Sequence, residues 1–188
     1  MVTQETTVDS LYKEFQELVL YLEKQGEASF RSVAEEHFRK ALLLTSASYF
    51  ERRISDDILA LARQHSGGNE LVAEFIKNKA ISRQFHTFFN WNAHNATQFF
   101  GLFGESFATF MINEVKSSTP LDTGIKAFLE IGLERNRMVH EDFGAYTLEK
   151  TVEEVYGLYK SAQVFVDLVP TKLREYAERN SNLPEVAR

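Results

Sequence analysis

Arg135-Asn136-Arg137-Met138-Val139-His140 sets an arginine, an amide and a histidine at the end of an otherwise apolar helical stretch. A guanidinium stays charged and grips phosphate oxygens with a fork of N–H donors, while an imidazole exchanges protons near neutral pH. Together they suit cleavage of a phosphodiester, and the stretch reads as a site for cutting RNA. His140 would exchange a proton with the ribose 2′-hydroxyl or the leaving 5′-oxygen, and Arg135 would stabilise the charge that builds on the phosphoryl oxygens. Neither role requires a metal ion. Asn136 and His140 are four residues apart and share a helix face, with Arg135 one position round and long enough to reach the same patch. Leu129 and Leu133 come before them, so an apolar seam turns into a polar cleft toward the helix end.

The elements that must carry this patch are helical. Leu11, Phe15, Leu18, Val19 and Leu22 recur at helical spacing, with Asp9 or Ser10 as the cap and Gly26 as the stop. Ser32 and Glu35 suggest a capping box for a long second helix that continues through Phe50 to Leu61, with a bend near Ser46 to Ser48. Ser66-Gly67-Gly68 breaks the chain, and Asn69 caps the next helix. Gln84 to Gly104 has poor periodicity and reads as loop plus a short helix, followed by a helix through Phe107 to Val115. The motif helix starts at Thr119-Pro120 and stops at Gly144, and Thr147 opens a last helix that Pro170 kinks or restarts. Strand-like alternation is nearly absent, so the fold class is all-α, an antiparallel helical bundle.

With 188 residues the chain can bury one sizeable core, and we expect a single domain, 1–188, with short polar tails at 1–8 and 180–188. It has no cysteine, which excludes a disulfide framework and a thiol nucleophile. No signal core and no apolar run of membrane length is visible, so a cytoplasmic protein with no membrane partner is expected. The net charge of -6 argues against a general nucleic-acid coat, and any RNA contact must be local.

The motif and helical layout resemble the HEPN superfamily, helical bundles with an arginine, a following polar residue and a histidine at a helix end, here Arg135, Asn136 and His140. Within it the chain looks most like the RiboL-PSP and MAE_28990-type domains, on the layout that includes Ser48-Tyr49-Phe50-Glu51-Arg52-Arg53. The resemblance implies a metal-independent endoribonuclease that leaves a cyclic phosphate, with Arg135 and His140 catalytic and Asn136 positioning. It also implies a homodimer in which two protomers pool their motifs, RNA as the substrate, and an antitoxin or regulatory partner protein in a prokaryotic toxin–antitoxin or antiphage system. Some relatives carry, two positions after the histidine, a tyrosine that a partner enzyme modifies; here that position is Asp142, with Tyr146 nearby. The rival reading is a non-catalytic HEPN scaffold that dimerises and binds a partner protein or a nucleotide.

Arg137 is assigned to a substrate or surface contact. His37, His65, His86 and His94 are scattered and lack the carboxylate spacing of a metal cage, so they are given packing, capping or surface roles, and no metal or cofactor is expected. The phenylalanines between Phe85 and Phe110 read as core or subunit interface in preference to a base-stacking surface. Asn90, Asn92 and Asn95 read as loop and cap residues, and Arg52, Arg53, Lys77 and Lys79 as surface charges.

Overall fold

A computed structural model describes residues 5–141 and 143–181, the last two by backbone only. Asp142 and the outer parts of the expected tails, 1–4 and 182–188, lie outside the described residues. The chain forms α1 (Thr7–Gln25), α2 (Ala28–His65), α3 (Glu70–Ile76), a π-helical turn at Lys77–Ile81, α4 (Phe85–Phe88), α5 (Thr97–Gly101), α6 (Glu105–Lys116), α7 (Thr119–His140) and α8 (Val152–Ser181). Among the described residues there is no strand, and the fold is all-α. No described helix is long and apolar enough to cross a membrane.

Four long helices make the bundle. Gly26, at a φ of 72°, ends α1 in the left-handed region, and α2 turns back so that Phe38 meets Phe15 at 5.2 Å. Arg31 ties the hairpin by pairing with Glu23 of α1 (2.5 Å), and Glu35 one turn on in α2 holds its guanidinium (2.8 Å). α7 runs against α2: Phe128 lies 5.8 Å from Phe50, while Lys40, further back on α2, reaches the Phe143 carbonyl just beyond the end of α7. α8 returns along α7 and so lies parallel to α2, its Tyr159 and Asp167 meeting Tyr49 and Arg53 in the same order. Helices that follow one another are antiparallel, as expected, but α2 and α8 are not.

Several boundaries differ from those expected. Thr6, not Asp9 or Ser10, caps α1, in a reciprocal box with Asp9, and Val8 is fully buried, so residues 6–8 belong to the bundle rather than to a tail. α2 is continuous through Ser46, whose hydroxyl is satisfied within the helix by the Leu42 carbonyl (2.7 Å), as that of Thr45 is by Ala41 (2.8 Å). Ser32 lies inside this helix and does not cap it. Asn69 caps α3 as expected, but Ser118 instead of Thr119 caps α7. α8 starts at Val152, not Thr147, since Thr151 and Glu154 exchange backbone and side-chain hydrogen bonds of 2.8 and 3.1 Å. Pro170 sits inside α8 without restarting it. Arg52, Arg53 and Lys77 pair with Asp56, Asp167 and Glu74 on the surface.

Phe50, Phe89, Phe99, Phe128 and Phe165 form the centre of the core, with Phe89 4.7 Å from both Phe99 and Phe128. The core reading of the phenylalanines between Phe85 and Phe110 holds for Phe88, Phe89, Phe99, Phe100 and Phe107, while Gln84 to Gly104 forms two short helices, α4 and α5, where loop plus one was expected.

The start of α1 is held by a chain of polar contacts. Gln163 donates to the Tyr159 hydroxyl (2.9 Å), which meets the Thr6 hydroxyl (2.7 Å), and Thr6 donates to Asp9 from both its backbone N–H (3.0 Å) and its hydroxyl (2.8 Å). Tyr156 (2.7 Å) and Lys160 (3.4 Å) complete the shell of Asp9. Burial pushes the Asp9 carboxyl up, but the Thr6, Tyr156 and Lys160 donors outweigh it and hold it below the usual 3.8. A depressed carboxyl adds stability above its unfolded pKa and loses it as pH falls through the folded one. Asp9→Asn should therefore cost about 1–2 kcal/mol at pH 7, with the difference from wild type shrinking below about pH 4; denaturant midpoints across that range measure it.

Candidate active site

One row of α7, at steps of four residues, connects core to chemistry: Gly124, Phe128, Gly132, Asn136, His140. Such a row drifts round the helix, so it leaves the α8-facing side and emerges at the surface by the helix end. At Gly124 a Cβ would stand 2.9 Å from the Ser161 carbonyl oxygen, so α7 and α8 approach backbone to backbone. At Gly132 a Cβ would fall 2.0 Å from the Trp91 ring, so the indole lies directly on the helix. The Trp91 Nε1–H donates to the His86 carbonyl (3.1 Å), fixing the ring from its other end.

A cavity of ≈ 490 Å³ opens beside this contact. Its apolar wall includes Phe50, Phe85, Trp91 and Phe128, and its polar groups are Glu51, Arg83, His86, Arg135, Asn136 and His140. The three residues singled out in the sequence as catalytic or positioning are thus brought to one cavity. Arg135 is half-buried and donates from Nη1 to the Asn136 Oδ1 (3.0 Å), which holds the guanidinium toward the amide. His140 is exposed in the last turn of α7. This set offers guanidinium N–H donors, an amide and two imidazoles around a space walled by flat rings, a chemistry suited to an anion attached to an aromatic group.

Arg137 is not brought there. It is exposed and pairs with Glu134 (2.9 Å), whose second oxygen accepts from the Tyr146 hydroxyl (2.5 Å). Burial, then the Glu134 carboxylate, pushes the Tyr146 hydroxyl up to about 12. Of the two roles expected for Arg137, substrate or surface contact, its exposed pair with Glu134 fits the surface one, and through Glu134 it is linked to Tyr146 in the loop that follows α7. Gly144 falls in a turn of that loop; the helix itself stops at His140, where Glu141 turns extended.

Four residues of the cavity escaped sequence reasoning. His86, assigned to packing, capping or surface, stands at the cavity with Arg83, Glu51 and Trp91. Arg83 has a φ of 62°, the one positive value outside glycine among the described residues, and nothing in its local sequence announces it. Lys40 is 1% exposed, donates to the Phe143 carbonyl (3.1 Å), lies 3.6 Å from Glu36, and has the Phe143 ring 5.3 Å away. A lysine at a buried helical position was the available signal for this tether. The expected roles of Asn90 and Asn95 hold: each accepts from a backbone N–H two residues on. Among the described residues no three His, Asp or Glu side chains come together as a metal site.

The family model described as RiboL-PSP-HEPN matches residues 9–175. No curated protein and no solved structure matches the chain.

Glycine to alanine within a helix normally stabilises by about 1 kcal/mol. Gly132→Ala should reverse that sign, costing about 1–3 kcal/mol because the indole must move, and should shift Trp91 fluorescence; thermal unfolding and emission spectra read both.

Proposed function

Because the chain belongs to the RiboL-PSP-HEPN family, we propose that it is an endoribonuclease that cuts RNA without a metal ion. The observation that carries this reading is the convergence of Arg135, Asn136 and His140 on one cavity. The ribose 2′-oxygen attacks the adjacent phosphorus as its proton leaves, the P–O5′ bond breaks, and the departing 5′-oxygen takes up a proton. The products are a 2′,3′-cyclic phosphate and a 5′-hydroxyl. His140 serves one of the two proton transfers, and Arg135 faces the charge on the phosphoryl oxygens. Asn136 accepts from Arg135 and so orients the fork.

One histidine supplies one proton transfer, and a homodimer supplies the second. Val139 (52% exposed) and Phe143 (46% exposed) flank His140 and give the end of α7 an apolar rim on which a second copy would pack. Two motifs then bracket one scissile phosphate. Control by an antitoxin or regulatory partner, in a toxin–antitoxin or antiphage setting in the cytoplasm, completes the proposal, since an unrestrained RNase harms its host.

The purified chain should cleave RNA in EDTA to cyclic-phosphate ends, and Arg135→Ala and His140→Ala should each lose about 10²–10⁴-fold in rate. Equal cleavage by wild type and both variants rejects the assignment; full activity from a monomer rejects the shared site. A folded dimer that cuts no RNA would leave the scaffold reading.

A further inference from the structure

The motif explains Arg135, Asn136 and His140 but not why their cavity has an aromatic wall. Trp91 is half-buried although Phe89 and Phe128 stand 5.2 and 5.9 Å behind it, and Phe85, also half-buried, is 5.8 Å to its side. The indole is clamped at Gly132 and at the His86 carbonyl, which makes it a fixed platform instead of a loose surface ring. Arg83 is held at the same cavity by a backbone conformation that non-glycine residues rarely adopt, and among the described residues it has no carboxylate partner. In a chain of net charge -6, a guanidinium with no carboxylate partner among the described residues, beside half-buried rings, marks a place for an anion with a flat group attached.

We propose that this cavity takes an unstacked nucleobase of single-stranded RNA, stacked on Trp91, while Arg83 holds its adjoining phosphate. The proposal rests on the ribonuclease reading and deepens it by naming how the substrate is presented. Each step of four residues along α7 advances about 6 Å, so the platform at Gly132 stands one step from Asn136 and two from His140. That is the span over which a nucleotide extends from base to phosphate. The cavity volume of ≈ 490 Å³ is in the range that small ligands occupy. A base needs only its flat face for such a contact, so the site selects single strands over duplexes, whose bases are already stacked.

The chain holds one tryptophan, so its fluorescence reports on this wall alone. A 2′-O-methyl RNA tetranucleotide, which has no free 2′-hydroxyl to attack, should quench Trp91 to saturation, while ribose 5-phosphate should not. With a fluorescein-labelled copy, anisotropy should show roughly 10- to 100-fold weaker binding for Trp91→Leu, with Trp91→Phe recovering part of it. Arg83→Gly should also bind more weakly, and its fold is safe because glycine accepts a φ of 62°. Failure to bind the tetranucleotide, binding without any quench, or unchanged affinity in both Trp91→Leu and Arg83→Gly would overturn the proposal. So would a quench by free AMP at concentrations equal to those of the tetranucleotide, which would make the site one for free nucleotides. Cleavage separates the two readings: RNA cut without quench removes the base site alone, and quench without cleavage removes the nuclease alone.

Discussion

Gly132 has no side chain, and the Trp91 ring occupies the space a Cβ would need. The rest of the functional end of this bundle depends on that contact. It docks the segment from Arg83 to Phe103 on α7, and the docked segment supplies one wall of the cavity whose other wall is the motif. Packing at this density transmits shape, because a ring pressed on a helix backbone has nowhere to relax. The Phe89, Phe99, Phe128 and Phe165 cluster behind it is buried and continuous with the rest of the core, so the platform is anchored in that core.

A second constraint acts on the far side of His140. The last turn of a helix frays unless something beyond it is fixed. Here Lys40 crosses from α2 to the Phe143 carbonyl, and Glu134 gathers Arg137 and Tyr146, so the connection to α8 is tied at both ends of its first turn. A buried ammonium is costly to desolvate unless it is hydrogen-bonded, and its retention at the point where α2, the loop and the end of α7 meet ties the position of His140 to the core of the bundle. Arg137 thereby belongs to the frame of the motif helix, outside the residues that line the cavity.

The sequence made the long helices legible because their apolar periods are regular and their ends carry local signals, such as Gly26 and Pro120 in the first turn of α7. Arg135, Asn136 and His140 were legible for the same reason, since steps of one, four and five residues on one helix are fixed by helix geometry alone. The opposite wall was not. His86 and Trp91 reach the site only through contacts distant in sequence, and their segment alternates rings that face the core with rings that face the cavity, which destroys any single period. Gly132 and Arg83 carry no local signal that sets them apart from other helical glycines and surface charges. The early start of α1 was hidden because Thr6 and Asp9 cap it with groups that also suit a polar tail.

The division of labour along α7 comes from its row of four-residue steps. Its first half is committed to the bundle, with Gly124 allowing α8 to approach and Phe128 filling the centre. Its second half has no such neighbour on one side: Trp91 covers Gly132, and beyond it the row opens. The rigid half sets the direction of the open half, so groups at Asn136 and His140 hold their place without being buried themselves. The cleavage proposed above needs this combination, because the reacting groups must stay accessible to a large substrate while their positions are closely fixed. A helix anchored at one end, walled by an indole at its middle and tethered at its tip meets both requirements.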